Sequence, residues 1–274
     1  MHDNGLTKQP ASILAEGSPD RFGYSWERFS ALTPDQEEQF RRWTIHLDPA
    51  SDWRGKTFLD AGCGAGRNSF WAMTYGAAGG LAIDVDDRSV EAARRNLAPF
   101  PSVEVRYQSI YDLQETGEFD IVFSIGVIHH LTEPGFAIGR MVQAAKPRGH
   151  IVIWVYGREN MGMYVHVMTP LRRAFFSWMP VSLVRLLALV PAGILWLLLR
   201  LGVFRIEYFR LLRRFSFAHL HHIVFDQMLP HIARYWTREE ARSLLEQAGL
   251  VDIELHWVNE MSWSVIGTKP EPSH

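Results

Sequence analysis

Residues 57–68, TFLDAGCGAGRN, decide the fold of this chain. An apolar run ends in a carboxylate, three glycines then alternate with small residues, and a helix-compatible segment follows. Glycine accepts positive φ and lets a ligand approach the backbone without a Cβ in the way. Such a turn also directs free backbone N–H groups at whatever binds over the helix N-terminus. The stretch therefore predicts a strand, a tight turn and a helix that together form a ligand site.

A second apolar run, LAID at residues 81–84, ends in Asp84, which lies 20 residues beyond Gly64. A carboxylate at that place can accept two hydrogen bonds from a ribose diol. The glycine spacing, with Arg67 directly after the third glycine, differs from the G-x-G-x-x-G fingerprint of dinucleotide-binding proteins. The spacing thus disfavours a nicotinamide oxidoreductase, a judgement that NADH binding would reverse.

The pattern D-x-G-x-G-x-G after a strand resembles motif I of the class I S-adenosylmethionine (SAM) methyltransferases. The resemblance covers most of the chain, and five segments carry it: LDAGCGAGR (59–67), AIDVD (82–86), FDIVFSIGVIHHL (119–131), KPRGHIVIWVY (146–156) and YWTREEARSLLEQAGL (235–250). It implies an α/β fold with a Rossmann-like, doubly wound, seven-stranded sheet whose last strand is antiparallel. SAM is the implied cofactor, bound at the carboxyl ends of the first strands.

The hydrophobic pattern places the elements of this fold along the chain. Strands are expected at 56–60, 80–84, 103–107, 119–125, 151–156, 253–257 and 262–267, with 146–150 as a turn before the fifth strand. Helices are expected at 34–47, 66–75, 87–95 and 237–249.

The resemblance also implies cofactor-binding residues. The pocket for the methionine moiety is shaped by Asp60, Gly62, Gly64 and Gly66, with Cys63 as a small residue that fits the turn. Asp84 binds the ribose hydroxyls, and Val85 packs against adenine. The remaining contacts are a backbone carbonyl of Ser124 or Ile125 near the SAM ammonium, and Arg67 near the carboxylate.

One position departs from the family pattern. Many relatives carry Asp, which accepts a hydrogen bond from the adenine amino group, where this chain has Ser109. A serine hydroxyl can still accept one hydrogen bond, so binding survives with lower affinity. The backbone N–H of Ile110 can still donate a hydrogen bond to the adenine ring. The departure keeps open a non-catalytic SAM-binding protein as an alternative.

The candidate catalytic residues are polar groups that follow the fourth and fifth strands. A general base helps when the methyl acceptor carries a proton, and His129, His130 and Tyr156 are the best placed. Further candidates are His219, His221, His222, His231 and Tyr235. For each one, the competing interpretation is a residue that caps or satisfies the backbone. No metal site is predicted.

Composition limits the function classes. The chain has 274 residues and a formal net charge of −2, which gives no case for nucleic acid as a partner. Its one cysteine, Cys63, excludes a disulfide framework and a cysteine-based metal cluster. Its N-terminus has no apolar leader, so a cytoplasmic location is expected, with peripheral membrane contact as a variant.

Residues 162–214 differ in character from the rest. They hold eight arginines, no lysine and one acid, a net charge of +7, around an uncharged run of 14 residues at 186–199. A membrane-spanning helix needs about 20 residues, so no span is expected. Three interpretations stay open: a lid over a hydrophobic, acidic small molecule, a surface that contacts an anionic membrane, and an ordinary core or homodimer helix pair.

The sequence therefore predicts four regions: 1–50, an N-terminal tail with an aromatic and helical cap; 51–160, the SAM-binding core; 161–218, a helical insert; and 219–274, a helix and strands that complete the sheet. The aromatic residues of 22–29 are expected either to cover the sheet edge or to lie over the cofactor. The expected function is methyl transfer to a small, hydrophobic acceptor between the cleft and the insert. The alternative acceptor is a lipid or lipid-linked group at a membrane surface.

Overall fold

The computed structural model describes residues 23, 32, 34–162, 164–204 and 206–272. They contain a seven-stranded sheet with helices on both faces. The strands are β1 Thr57–Ala61, β2 Gly79–Asp84, β3 Val103–Tyr107, β4 Phe119–Ile125, β5 Ala145–Tyr156, β6 Val251–Val258 and β7 Ser262–Thr268. The helices are α1 Pro34–Trp43, α2 Arg67–Thr74, α3 Asp87–Leu97, α4 Pro134–Ala144, α5 Thr169–Ala174, α6 Val181–Leu187, α7 Leu189–Arg200, α8 Glu207–Leu212, α9 Phe217–Met228 and α10 Arg238–Glu246.

The strand order is β3-β2-β1-β4-β5-β7-β6. Strands β1 to β5 are parallel, and β7 runs antiparallel to both of its neighbours. The predicted sheet is thereby confirmed. The order reverses between β1 and β4, and ligands bind in the crevice outside the carboxyl ends of the strands at such a point. This topology places a site above the ends of β1, β2 and β4.

Two apolar layers hold the sheet from its two faces. Leu59, Ile83 and Val122 are buried in one layer with helix α4, while Phe58 and Phe123 are buried in the other. Full burial of a side chain of this size contributes about 1.5–3 kcal/mol. Successive strand residues point to opposite faces, so both faces of the central strands need apolar side chains.

Helix α1 extends the second layer. The ring of Phe40 lies 5.5 Å from that of Trp53 and 5.9 Å from that of Phe123, so the helix packs its apolar face on the sheet. The helix ends at Trp43 rather than near 47, and the Thr44 hydroxyl bonds the Phe40 carbonyl at 2.8 Å. The aromatic segment 22–29 lies outside the described residues except for Gly23, which packs against the Asp86 carboxylate.

The fifth strand differs from its prediction. It begins at Ala145, so the segment 146–150 is an irregular part of the strand and the turn predicted there is wrong. Arg148 has φ 62°, and a Cβ on Gly149 would lie 2.9 Å from the Lys146 carbonyl oxygen. Proline and glycine occur at irregular places within strands as well as in turns, so the pattern of 146–150 does not distinguish the two.

The helical insert is longer than predicted. Helix α9 packs against α7, with Val224 and Phe225 in one buried cluster with Val184, Ala188 and Ala192. The histidine-rich segment of α9 thus belongs to the insert, which extends to about residue 228 rather than 218.

Helices α6 and α7 run on through Ala188, so Val181–Arg200 forms a 20-residue helical segment. By length and composition alone, this segment of the described residues is long and apolar enough to cross a membrane. The uncharged run 186–199 by itself predicts no span, because the helical segment begins before Arg185 and the run begins after it. Only 17% of the most apolar part of this segment is buried within the protein.

Candidate functional site

A cavity of about 280 Å³ opens above the carboxyl ends of β1, β2 and β4. Its cofactor side is lined by eleven of the residues named from the sequence or next to them: Gly62, Cys63, Gly64, Ala65, Arg67, Asp84, Val85, Ser109, Ile110, Tyr111 and Ile125. Its far side is lined by His130, Leu131, Thr132, Trp154, Tyr156 and Asp226. The topology has therefore brought most of the predicted residues to one crevice.

The glycine turn forms the floor of the cavity. Gly62, Gly64 and Gly66 have φ of 89°, 52° and 75°, a region that favours glycine. A Cβ on Gly62 would lie 2.5 Å from a methyl carbon of Val127. The N–H groups of Gly62 and Cys63 donate to the Ile83 carbonyl at 2.9 and 2.8 Å, which ties the turn to β2.

Asp84 joins the end of β2 to the turn. Its Oδ2 accepts from the N–H of Gly64 at 2.9 Å, and its Oδ1 accepts from the N–H of Asp86 at 3.1 Å. Burial raises the pKa of Asp84 to about 6, while these hydrogen bonds oppose the shift. Each carboxylate oxygen keeps acceptor capacity toward the cavity, as a ribose diol requires.

Three predicted cofactor residues lie behind the cavity instead of lining it: Asp60, Gly66 and Ser124. Asp60 is fully buried and accepts from the Ser69 hydroxyl at 2.7 Å, and burial raises its pKa to about 7. The Ser124 hydroxyl donates to the Ala61 carbonyl at 2.7 Å. Gly66 is the left-handed N-cap of α2. These residues support the turn from below, and only Ile125 of the predicted pair 124–125 lines the cavity.

The adenine side is formed by the turn after β3. The Ser109 hydroxyl oxygen accepts from the Tyr111 N–H at 3.2 Å and caps the short helical turn Ile110–Asp112. Its oxygen has two lone pairs, so one stays available for a ligand. Arg67 also lines the cavity, and burial lowers its pKa to about 10 although the charge of Asp226 opposes this shift.

The far side of the cavity holds two of the three predicted catalytic residues, His130 and Tyr156. The Nδ1 of His130 lies 2.7 Å from the Ile232 carbonyl oxygen. A carbonyl can only accept, so Nδ1 carries the hydrogen and Nε2 is the acceptor nitrogen. Burial lowers the pKa of His130 to about 4 and raises that of Tyr156. Both side chains are therefore neutral near pH 7.

His129 lies behind this wall. It is fully buried, it stacks on Tyr156 with ring centroids 3.7 Å apart, and it does not line the cavity. Burial is the main cause that lowers the pKa of His129 well below its usual value, and the proximity of His130 and Arg172 adds to the effect. Its position fits a positioning role for Tyr156 better than contact with a ligand.

Three further candidate histidines, of helix α9, make contacts within the insert. His221 Nε2 lies 2.9 Å from the Arg185 carbonyl oxygen, and His222 Nε2 lies 3.2 Å from Asp226 Oδ2. His219 stacks on Phe215. Across the described ranges, no group of three or more His, Cys, Asp or Glu side chains could hold a metal ion.

Sequence reasoning missed several lining residues: Gln36, Gln39 and Trp43 of α1, Asn68, Ser89, Val127 and Asp226. The α1 residues reach the cavity through packing over a long sequence separation, and Asp226 reaches it through the insert. Val127 gave a usable signal, because it lies in the segment 119–131 that follows β4.

The cavity fits an adenosyl sulfonium ligand on the evidence of its own residues. The floor of the cavity is glycine backbone, which lets a ligand approach it closely, and the Asp84 carboxylate, 20 residues beyond Gly64, lines the same cavity. Residues 59–153 match the protein family described as "Methyltransferase domain". Residues 59–153 therefore form a methyltransferase domain. The cavity beside the glycine turn and Asp84 is the candidate SAM site of this domain.

Similar proteins agree with this assignment. Over 127 residues the chain is 32% identical to a tRNA U34 carboxymethyltransferase of Klebsiella pneumoniae, covering 43% of this chain and 37% of that protein. Over 126 residues it is 30% identical to a ubiquinone biosynthesis O-methyltransferase of Neisseria meningitidis, covering 44% and 52%. The chain thus spans about a third to a half of the length of these curated relatives.

A solved structure shares the fold over nearly the whole chain. It is a 1,6-didemethyltoxoflavin-N1-methyltransferase of Burkholderia thailandensis, with bound 1,6-didemethyltoxoflavin and S-adenosylhomocysteine. The TM-score is 0.58 at 15% identity, covering 98% of this chain and 94% of that one. This likeness concerns the fold.

Proposed function

We propose that this chain transfers a methyl group from SAM to a small, hydrophobic acceptor held between the SAM cleft and the helical insert. The observation that carries the proposal is one continuous cavity with two chemically different ends. One end has the glycine turn and Asp84, and the other has Trp154, Tyr156 and Asp226 of insert helix α9. An acceptor in the second end would lie directly beside the cofactor.

SAM supplies a methyl group already activated on a sulfonium. The residues of the chain need to align the acceptor with it and exclude water. The Nε2 of His130 is the proposed proton acceptor, since Nδ1 is held by the Ile232 carbonyl. Its low pKa makes it a weak base, which suits an acceptor whose own proton becomes acidic as the methyl group is transferred.

The test is transfer of tritium from [methyl-³H]SAM. Fractionated small-molecule extract, total lipid extract and purified tRNA are offered in separate arms to the wild type and to Asp84→Ala. The proposal expects label in small organic acceptors with the wild type only. Label in tRNA alone would contradict it. SAM binding without labelling of any arm would favour a non-catalytic SAM-binding protein.

A second candidate, an acceptor at a membrane surface, is supported by an exposed stripe on α6 and α7. The apolar stripe, defined by its most exposed members, consists of Leu183, Leu186, Val190, Ile194, Leu197 and Leu201. These positions recur at intervals of three and four residues, so they share one helix face. The opposite face packs on α9, which favours a helix lying in the membrane interface rather than crossing it.

Charge supports an anionic membrane as the occupant of this surface. Residues 162–214 carry a net charge of +7, and Arg200, Arg210 and Arg213 are exposed. A second copy of the chain would bring like charges together, whereas anionic lipid headgroups would neutralise them. Vesicles of phosphatidylglycerol should therefore co-sediment the protein and vesicles of phosphatidylcholine should not.

The test of this candidate compares a double variant, Val190→Asn with Ile194→Asn, with the control variant Ile45→Asn. Ile45 is 48% exposed but lies far from the insert in sequence, on the turn after α1. The first variant should lose vesicle binding and the control should keep it. Equal binding by both variants would remove the membrane candidate.

A further inference from the structure

Buried polar atoms without a hydrogen bond concentrate at one place. Of the twelve such side-chain atoms in the described part of the chain, six belong to a cluster between β5 and the insert. They are Arg172 Nε and Nη2, His129 Nδ1 and Nε2, Gln227 Oε1 and the Tyr235 hydroxyl. Folded proteins pair nearly all buried polar groups, so a group of them without partners points to a ligand.

Four contacts hold this cluster together through Tyr156. The Tyr156 ring stacks on His129 and, with centroids 5.6 Å apart, on Tyr235. The side-chain Nε2 of Gln227 donates to the Tyr156 hydroxyl at 3.0 Å. Arg172 Nη1 donates to the backbone carbonyl of Gln227 at 3.4 Å. Tyr156 lines the cavity, and the four residues with unpartnered atoms lie behind it, so the cluster lies next to the acceptor end of the cavity.

Arg172 is the strongest feature of the cluster. It is 2% exposed, and among the described residues it has no carboxylate within 4.0 Å. A guanidinium keeps its charge in a protein, and a buried charge is costly unless it is paired. Its charge is felt by its neighbours, since it adds to the effect of burial in lowering the pKa of His129 and of His130.

The geometry of the two open donors indicates the chemistry of the missing partner. Nη1 is already occupied by the Gln227 carbonyl, which leaves Nε and Nη2. These two nitrogens form one edge of the planar guanidinium, with two parallel N–H donors. That edge matches the two oxygens of a carboxylate in a bidentate pair.

We propose that the Nε and Nη2 edge of Arg172 binds a carboxylate on the methyl acceptor. The acceptor is thus an organic acid whose apolar body lies along Tyr156 and Trp154, with the Tyr235 hydroxyl as a further donor to its polar end. This inference rests on the proposed function, because it names the acceptor class of the same site. It also gives the unpaired buried charge of Arg172 a partner.

The test uses the full chain saturated with S-adenosylhomocysteine and follows probe binding by ligand-observed NMR. The probes are benzoate, its neutral analogues benzamide and methyl benzoate, and inorganic phosphate. The wild type should bind benzoate at least tenfold more tightly than the neutral probes and than phosphate. Arg172→Gln should weaken benzoate binding at least tenfold, and Arg172→Lys should do the same because it keeps the charge but loses the two-donor edge.

Arg173→Gln is the matched control, since Arg173 is exposed on the same helix. It should leave benzoate binding within twofold. A second measurement separates binding from structure: Arg172→Met removes an unpaired buried charge, so its melting temperature should be no lower than that of the wild type. A lower melting temperature together with unchanged benzoate binding would assign Arg172 to structure and overturn the proposal.

Two other outcomes are distinguishable. If the wild type binds S-adenosylhomocysteine but does not prefer benzoate to benzamide, the carboxylate site is refuted while the proposed methyl transfer stands. Preference for phosphate over benzoate would refute the carboxylate assignment as well. If the wild type binds neither SAM nor S-adenosylhomocysteine, the proposed function itself fails.

Discussion

The Asp84 carboxylate accepts a hydrogen bond of 2.9 Å from the backbone N–H of Gly64. The end of β2 and the glycine turn after β1 are therefore fixed relative to each other before any ligand binds. One carboxylate thus has two tasks, since it both stiffens the turn and faces the cavity. Changes on either side of this bond should affect the cofactor site.

Replacing Gly62 with alanine should abolish SAM binding. The new Cβ would lie 2.5 Å from a methyl carbon of Val127, at a φ of 89° that alanine rarely adopts. Gly139→Ala is the matched control, because a Cβ there meets nothing within 4 Å and alanine stabilises a helix interior by roughly 0.5–1 kcal/mol. Calorimetric titration with SAM compares the two variants. Equal affinity for both would show that the turn does not shape the cofactor site.

The affinity for SAM should rise with pH through about 6. The pKa of Asp84 is raised to about 6 by burial, and the ionised carboxylate is the better acceptor for the ribose hydroxyls. Lowering the pH from 7.5 to 5 should weaken binding about tenfold, and the affinity should level off above pH 7. Asp84→Asn should bind weakly with little dependence on pH. A flat wild-type profile from pH 5 to 7.5 would contradict this role of Asp84.

Asp60 should make the protein less stable as the pH rises from about 4 to 7. Its pKa is raised by burial from 3.8 to about 7, so in this window the native state holds a proton that the unfolded state has released. The free energy of unfolding should then fall by up to about 1.4 kcal/mol per pH unit, and the loss should be complete above pH 7. Asp60→Asn should lack this contribution.

The comparison is made by urea unfolding at several pH values. The gap in stability between Asp60→Asn and the wild type should grow between pH 4 and 7 and then stay constant. Asp87→Asn serves as the control, because Asp87 is exposed in the first turn of α3. A gap that does not depend on pH would mean that Asp60 is not protonated in the native state.

His130→Asn should lower kcat by about 100-fold or more while SAM affinity stays within twofold. The asparagine amide can still donate to the Ile232 carbonyl, which His130 Nδ1 contacts at 2.7 Å, but it has no counterpart of Nε2. His166→Asn, at an exposed position, is the control. Because the pKa of His130 is lowered to about 4, no histidine titration should appear in kcat between pH 6 and 8. Full activity of His130→Asn would exclude His130 as the base.

The central sheet could be predicted from the sequence because its strands have local signals. The bounds of β3 and β4 agree with the prediction, since each is an apolar run between polar turns. Helix α4 was not predicted, although Pro134 stands at its start, as proline often does. The start of β5 was misplaced because Pro147 and Gly149 resemble a turn.

The cofactor side of the site could also be predicted, because the glycine turn and Asp84 are close in sequence and their geometry is local. The acceptor side could not. Arg172 reaches Gln227 across 55 residues, and its burial depends on the packing of helices within the insert. The sequence of residues 162–214 does not indicate which of its eight arginines is buried. Hydrophobic periodicity predicts which face of a helix a residue lies on, but not whether another helix covers that face.

Calorimetric titration of the full chain with SAM tests the central claim most directly, because that claim is a cofactor site built from the glycine turn and Asp84. The wild type should bind one SAM per chain, and Asp84→Ala should bind it more than tenfold more weakly, a loss of roughly 1.4 kcal/mol or above. Absence of SAM binding by the folded wild type, or an unchanged affinity in Asp84→Ala, would contradict the claim.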